Sequence, residues 1–487
     1  MLKSIEGSPL YPIVNPRSVV FFGASNRASA MGTSQLLSLK ALGYRGAVYP
    51  VHPKETTVQG LTAYRHIRDI PEIPDLAVIV LTAPLACEAV EECAEAGMKS
   101  AIVISGGFRE TSPEGAVMER RLVETAKTHG MRFLGPNCLG VANPHQHLNT
   151  TFLRYEGNPG FIGLASQSGS YVTQMFHYLS QFSLGFSTAF SVGNEANVDI
   201  VDCMEYLGAC PHTRVIALYI EAIRRGREFV EAARSIVPHK PIVAYYAGGS
   251  ETGRRAGFSH TGAMAGPDRL YDGVFRQSGV LRAQSMTELF DFCMALGNLP
   301  EPAGRRVMIQ THSGGPGAAA ADACGRAGLE LPEISHDALE KLSPYIPPTG
   351  STANPLDITY SKNAMDYFSK IPKVLLADDA IDIFLFYILM PSDMVRASFR
   401  HMGVPSEEVE EKSESFLNNL SSYVAHLREK YGKPVVGFTY RSFNDRFVAG
   451  LLEQGIPVYA GPERAIRAIQ ALVRYHEIKS RIRGLVK

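Results

Sequence analysis

The sequence predicts an α/β protein made of three successive parallel-sheet units. Short apolar runs alternate with helix-length segments, which is the pattern of a doubly wound parallel sheet. Several of these runs end in turns rich in glycine, serine and asparagine. The length of 487 residues also exceeds what one core organises, at roughly 150 residues per domain.

In the first unit Val19-Val20-Phe21-Phe22 reads as a strand entering the turn Gly23-Ala24-Ser25-Asn26, followed by a helix over 33–42. Further strands are expected at Ala47-Val48-Tyr49-Pro50-Val51, Ala77-Val78-Ile79-Val80-Leu81 and Ala101-Ile102-Val103-Ile104. Ligands of such sheets sit at the carboxyl ends of the strands. The loops at Gly23, 50–54 (with His52, Pro53 and Lys54), Thr82 to Pro84 and Ser105-Gly106-Gly107-Phe108 should therefore line one crevice. A nicotinamide cofactor fits it poorly. Gly23 is followed by Gly32 instead of the compact G-x-G-x-x-G, and His52-Pro53-Lys54 stands where a ribose-binding acid is needed. A basic residue there suits an additional phosphate, as on NADP or on the 3′-phosphorylated ADP of coenzyme A.

Gly135-Pro136-Asn137-Cys138-Leu139-Gly140 closes this unit, and a polar link over 144–159 leads into the second. There Phe161-Ile162-Gly163-Leu164-Ala165 delivers Ser166-Gln167-Ser168-Gly169-Ser170 to the start of a helix. Small hydroxylated residues and a glycine at such a turn can hold an anion on free N–H groups and the positive helix end. A plain helix cap by Ser168 or Ser170 explains the same residues. Strands follow at 188–192, 215–220 and 241–245, and Glu221 stands at the end of the second of these. The loop Gly257-Phe258-Ser259-His260-Thr261-Gly262-Ala263-Met264-Ala265-Gly266 then displays an imidazole among small residues. A histidine so presented can carry a phosphoryl group, and Glu221 can reach the same sheet edge to orient it.

The third unit begins after the linker Gly297-Asn298-Leu299-Pro300-Glu301-Pro302. Val307-Met308-Ile309-Gln310 is a strand, Ser313-Gly314-Gly315-Pro316-Gly317 a glycine-rich turn, and 318–327 a helix. The glycines serve either a ligand or close helix-to-sheet packing. No Lys and Ser/Thr follow them as in a phosphate-binding P-loop. Strands at 381–389, 434–438 and 457–460 and an amphipathic helix over 463–483 complete the unit.

Composition narrows the function classes. Lysine plus arginine equals aspartate plus glutamate at 48 each, so no broad field favours nucleic acid or an anionic membrane. Seven scattered cysteines without metal-ligand spacing suit a reducing cytoplasm, and no metal site is expected. No stretch reads as a signal peptide or membrane span.

Together these motifs resemble the α-subunit side of the NDP-forming acyl-CoA synthetases, the superfamily of ADP-forming acetyl-CoA synthetase and succinyl-CoA synthetase. The resemblance rests on Gly23-Ala24-Ser25, Tyr49-Pro50-Val51-His52-Pro53-Lys54, Gly135-Pro136-Asn137-Cys138-Leu139-Gly140 and Ser166-Gln167-Ser168-Gly169, with Ser191-Val192-Gly193-Asn194, Ser259-His260-Thr261-Gly262, Gly314-Gly315-Pro316-Gly317 and Asn354-Pro355-Leu356-Asp357. It implies a Rossmann-like CoA-binding domain over 1–148 and two flavodoxin-like domains over 149–299 and 300–487. By the same resemblance the acid is activated as an acyl phosphate that CoA attacks. The phosphoryl group travels on His260, Glu221 steadies it, and Ser168, Gly169, Ser170, Ser259, Thr261 and Gly262 hold its phosphate. CoA falls to Gly23, Ala24, Ser25, Asn26, His52, Pro53, Lys54, Thr82, Pro84, Ser105 and Gly106, and substrate to Asn137 and Asn194.

In this family ATP or ADP and Mg²⁺ belong to an ATP-grasp unit, and no stretch of this sequence reads as a site for ATP. A β-subunit and a hetero-oligomer with two copies of this chain are therefore implied. The family's lysine and arginine near Tyr246 and Gly249 are missing, with Arg254 and Arg255 close by. That departure leaves a second reading, a non-catalytic CoA or acyl-CoA binding or sensing protein.

Overall fold

The structure is a computed structural model that describes residues 4–252, 266–359 and 363–485. Two compact units form, one of 1–180 with 184–289 and the other of 181–183 with 290–487.

In the first unit the chain lays down β1 (Ser18–Phe22), β2 (Ala47–Val51), a hairpin of β3 (Thr57–Val58) and β4 (Leu61–Thr62), then β5 (Leu76–Ile79), β6 (Ser100–Val103) and β7 (Arg132–Leu134). The parallel order is β2-β1-β5-β6-β7. Residues of β1, β5 and β6 are buried along their whole length, which is why they read as unbroken apolar runs and not as alternating ones. Helices Met31–Ala41, Ala83–Glu95 and Pro113–His129 connect them.

The chain then enters a second sheet earlier than the polar link suggested. β8 (Gly140–Asn143) and β9 (Leu148–Asn149) are short antiparallel strands on its edge, ahead of β10 (Ile162–Ser166), β11 (Phe186–Ser191), β12 (Val215–Ile220), β13 (Ile242–Tyr246) and β14 (Leu281–Ala283). The order is β14-β13-β12-β10-β11-β8-β9. Sheet membership therefore changes at Gly140, where the link was expected to start only at 144. With glycine, asparagine and proline through 140–149, such short strands carry little pattern of their own.

The second unit holds β15 (Val307–Thr311), β16 (Leu356–Asp357), β17 (Ile383–Tyr387), β18 (Val435–Thr439) and β19 (Val458–Ala460) in the parallel order β16-β15-β17-β18-β19. Helices Gly314–Ala327, Val409–Tyr431 and Pro462–Leu485 are its longest. Each main parallel sheet thus runs second, first, third, fourth, fifth in strand order. That order places the crossover, and with it the ligand crevice, between the first and third strands. All seven cysteines are buried and unbridged, and among the described residues no helix is long and apolar enough to cross a membrane.

Candidate functional site

The turn after β1 is shaped by close backbone approach. Gly23 has φ +91°, and a Cβ on it would lie 2.0 Å from Val80 O; one on Gly32 would lie 2.4 Å from Gly23 O. Only glycine fits either position. The turn is braced on both sides. Ser25 N donates to Thr33 Oγ1 at 3.0 Å, and Asn26 donates to Thr57 O at 2.9 Å while accepting from Gln59 N at 3.0 Å. His52 Nδ1 accepts from Lys54 N and Glu55 N, at 3.2 and 2.9 Å, which folds the basic turn and leaves Pro53 and Lys54 exposed. Ser105 Oγ accepts from Leu81 N at 3.1 Å, tying the ends of β5 and β6, while Thr82 and Pro84 open the next helix. These expected CoA positions all stand at the carboxyl edge of one sheet.

A cavity of about 650 Å³ lies where this edge meets the next sheet. Gly106, Asn137, Ser168, Gly169, Ser170 and Asn194 line it, together with the apolar Met31, Ile104, Leu139, Phe152 and Leu153. Ser25, Lys54 and Thr82 are not among its lining residues. Cys138 also lines it, but burial pushes its thiol up to about 12, so it is no thiolate at neutral pH.

Asn137, in the left-handed region at φ +56°, donates through Nδ2 to Asn194 Oδ1 at 3.2 Å. Asn194 in turn donates through Nδ2 to Glu110 Oε2 at 2.5 Å and Glu119 Oε2 at 2.9 Å. Its carbonyl accepts from Arg109 and, at 2.8 Å, from Arg224 Nη2. Burial raises the Glu119 carboxyl. Burial acts the same way on Glu110, but hydrogen bonds from Asn194, Phe108 N and Gly107 N outweigh it and hold that carboxyl below its ordinary value.

Ser168 and Ser170 face each other, Oγ to Oγ, at 3.2 Å, at the start of the helix Ser170–Ser180. Gly169 between them is tight, since a Cβ would fall 2.5 Å from Leu139 Cγ. This turn follows β10, the first parallel strand of its sheet, and Glu221 follows β12, the third parallel strand. The two are neighbours in the sheet, so they flank the switch point. Gln167 spans them. Its Oε1 accepts from Glu221 N and from Ala222 N at 3.0 Å, and its Nε2 donates to Ala222 O at 2.7 Å and Glu195 Oε2 at 2.8 Å. Tyr171, Tyr219 and Tyr245 form a ring cluster beside Glu221, and burial followed by the Glu221 charge raises the Tyr219 phenol.

His260, Ser259, Thr261 and Gly262, with Arg254 and Arg255, lie outside the described residues. Gly266 is tied to the end of β13, its carbonyl accepting from Tyr246 Oη at 2.8 Å. Gly249 has a local reason to be glycine: a Cβ would lie 2.0 Å from Asp268 Oδ1, and that carboxylate is paired with Arg282 at 2.5 Å. In the second unit Gly317 is needed for packing, with a Cβ 2.9 Å from Thr311 Cγ2, whereas Gly315 is open. Asn354 is structural, bonded to Ile309 N, Val307 O and Pro332 O.

Sequence reasoning did not single out Glu195, Glu110, Glu119 or Arg109. Glu195 immediately follows the quoted Gly193-Asn194, at φ +53° and 6% exposed. A buried carboxyl in a strained turn leaves no mark in composition or periodicity.

The family description "CoA binding domain" matches residues 17–144, "Succinyl-CoA ligase like flavodoxin domain" 159–296, and "Ligase-CoA domain" 307–388. The chain is 38% identical to the "Acetate--CoA ligase [ADP-forming] II subunit alpha" of Pyrococcus furiosus, over 94% of this chain and 96% of that one. It is 36% identical to the "Acetate--CoA ligase [ADP-forming] I" of Archaeoglobus fulgidus, over 96% of this chain but 64% of that protein. A solved structure of the dinucleotide-forming acetyl-coenzyme A synthetase 1 of Ca. Korarchaeum cryptofilum, in complex with phosphate and ADP, superposes with a TM-score of 0.85 at 31% identity, covering 98% of this chain and 99% of that one. The chain belongs to the family of ADP-forming acyl-CoA ligases, as a chain of the α-subunit type. Its reaction class is that of the acid–thiol ligases.

Proposed function

We propose that this chain performs the acyl-phosphate half of an ADP-forming acyl-CoA ligase, with His260 as the phosphoryl carrier. The observation that carries the reading is the switch point of the second sheet, where the Ser168–Ser170 turn and Glu221 stand on adjacent strands bridged by Gln167. A phosphoryl group on the His260 imidazole would rest on the N–H groups of the serine turn. Glu221 would accept from the other ring nitrogen and stabilise the charge.

In the synthetic direction the acid's carboxylate oxygen attacks that phosphorus and the P–N bond breaks, leaving an acyl phosphate and a free imidazole. The CoA thiolate then attacks the acyl carbon and the C–O bond breaks, giving the thioester and inorganic phosphate. Gly23 to Asn26, His52 to Lys54, Thr82, Pro84, Ser105 and Gly106 would hold CoA along the first sheet's edge, with Lys54 serving a phosphate of its ADP part. Asn137 and Asn194 border the cavity through which the acyl and pantetheine groups would meet the phosphate.

ATP and Mg²⁺ would act through an ATP-grasp partner in a hetero-oligomer with two copies of this chain. Support comes from the near-complete match to a chain called subunit alpha and from the match to only part of a longer ligase. Bound Mg²⁺ would neutralise the nucleotide's phosphate oxygens. The test is intact mass at alkaline pH, since phosphohistidine is acid-labile, after incubating the chain with inorganic phosphate and a panel of acyl-CoAs. One added phosphoryl group, lost in His260→Asn, is expected. An adduct that persists in His260→Asn would overturn the assignment of the carrier.

A further inference from the structure

Gln167 occupies an unusual place. Its backbone leads directly into the Ser168–Ser170 turn, while its side chain grips the chain at 221–222, so one residue sets the spacing between the two parts of the switch point. All four hydrogen-bonding capacities of its carboxamide are in use. Oε1 accepts two N–H groups, from Glu221 and Ala222, and Nε2 donates to Ala222 O at 2.7 Å and Glu195 Oε2 at 2.8 Å. The opposite amide orientation would set Nε2 against two N–H donors. The carboxamide is therefore locked in one orientation, and Glu195 supplies the only side-chain acceptor in the lock.

Glu195 is itself held from two sides. Its Oε1 accepts from Ile200 N at 2.8 Å, and its backbone carbonyl accepts from Arg224 Nη1 at 2.8 Å. The residue comes from the loop after β11, on the other side of β10 from Glu221. Loops after three adjacent strands are thus laced through one amide. One carboxyl oxygen thus serves Ile200 N and the other the Gln167 amide, and a buried carboxyl in left-handed backbone is costly unless what it holds matters.

We infer that Glu195 is a positioning residue for the reaction, acting through the Gln167 carboxamide to fix the backbone at 221–222 and hence the Glu221 carboxylate relative to the phosphate turn. The inference rests on the proposed role of Glu221 toward His260. It extends that role to two residues that touch neither phosphate nor CoA through the groups concerned. Glu195→Ala removes the one side-chain acceptor and leaves Nε2 on Ala222 O alone, so the carboxamide is held by three hydrogen bonds in place of four. Glu195→Gln keeps the volume but offers one oxygen to two donors, Ile200 N and Gln167 Nε2, so one of them loses its acceptor.

The experiment measures phosphoryl-enzyme formation from inorganic phosphate and the most effective acyl-CoA of a panel, using the full chain, with CoA affinity as a parallel readout. Glu195→Ala is expected to slow phosphorylation by about 10- to 100-fold and Glu195→Gln by a smaller factor, with the CoA dissociation constant within about twofold of the parent. The deciding comparison is a double-mutant cycle with Glu221→Gln. If Glu195 works through Glu221, adding Glu195→Ala to Glu221→Gln costs less than about twofold further. An equal cost in both backgrounds overturns the inference, as does a Glu195→Ala chain that phosphorylates at the parent rate. A loss of CoA affinity and phosphorylation together in both Glu195 variants marks a merely structural residue and also overturns it. Should Glu221→Gln alone leave phosphorylation unchanged, the role of Glu221 fails instead.

Discussion

Asn194 donates through Nδ2 to Glu119 Oε2 at 2.9 Å, both side chains being buried, and the same nitrogen also reaches Glu110 Oε2. One amide thereby serves two carboxylates, of which Glu119 also pairs with Arg109 at 3.1 Å while Glu110 also accepts from Gly107 N and Phe108 N. Asn194→Ala removes that donor from the buried Glu119 and the half-buried Glu110 at once. The expected loss is about 2–4 kcal/mol of unfolding free energy, read as a lower urea midpoint at unchanged slope. A variant as stable as the parent would show that water replaces the amide.

The Glu195 carboxyl is pushed up to about 8, first by burial and then by the charge of Asp199, against opposing hydrogen bonds from Ile200 N and Gln167. A carboxyl raised in the folded state contributes stability that is complete below its ordinary value near 4.3. That contribution is lost as pH climbs through 8. Each unit within that window is worth about 1.4 kcal/mol. Glu195→Gln cannot titrate, so its urea midpoint should fall less steeply than the parent's between pH 5.5 and 8.5. Parallel slopes would show that Glu195 is already ionised at the lower pH.

Gly23→Ala tests how tightly the first sheet's crossover is built. The added methyl would sit 2.0 Å from Val80 O, a backbone atom that cannot swing away, at a φ of +91° that alanine resists. Strain and overlap together should cost on the order of 3 kcal/mol or more and abolish CoA binding, measured by calorimetry on whatever folded protein is recovered. Retained CoA affinity would mean that the turn relaxes.

What the sequence disclosed follows burial and local chemistry. β12, Val215–Ile220, is covered on both faces, so its apolar run stood out and its bounds match the expected ones. Helix Val409–Tyr431, 23 residues long, was not anticipated, because its serines, asparagines and interspersed charges dilute the apolar stripe that packs inward. The Ser168–Ser170 turn and Glu221 were legible because both directly follow strands, and strand ends are where such sheets bind ligands. Glu195 was not, since its partner Gln167 lies 28 residues away in sequence and the contact exists only once three loops converge.

Lys54 gives the clearest test of which ligand the first sheet takes. The turn that carries it is folded by His52 Nδ1 accepting from two backbone N–H groups, so the ammonium is presented without needing its own contacts to hold the loop. Lys54→Ala should therefore leave stability within about 0.5 kcal/mol of the parent. Losing one charge-assisted contact to a phosphate should weaken CoA by roughly 1–2 kcal/mol, a factor on the order of 5 to 30. Dephospho-CoA separates the possible targets. If Lys54 serves the 3′-phosphate, the parent binds dephospho-CoA about as weakly as Lys54→Ala binds CoA, and the substitution changes dephospho-CoA affinity by less than twofold. If the substitution weakens both ligands equally, Lys54 serves the pyrophosphate instead; if it weakens neither, the basic turn has no part in CoA binding, and the phosphate contact must come from another side chain on that edge.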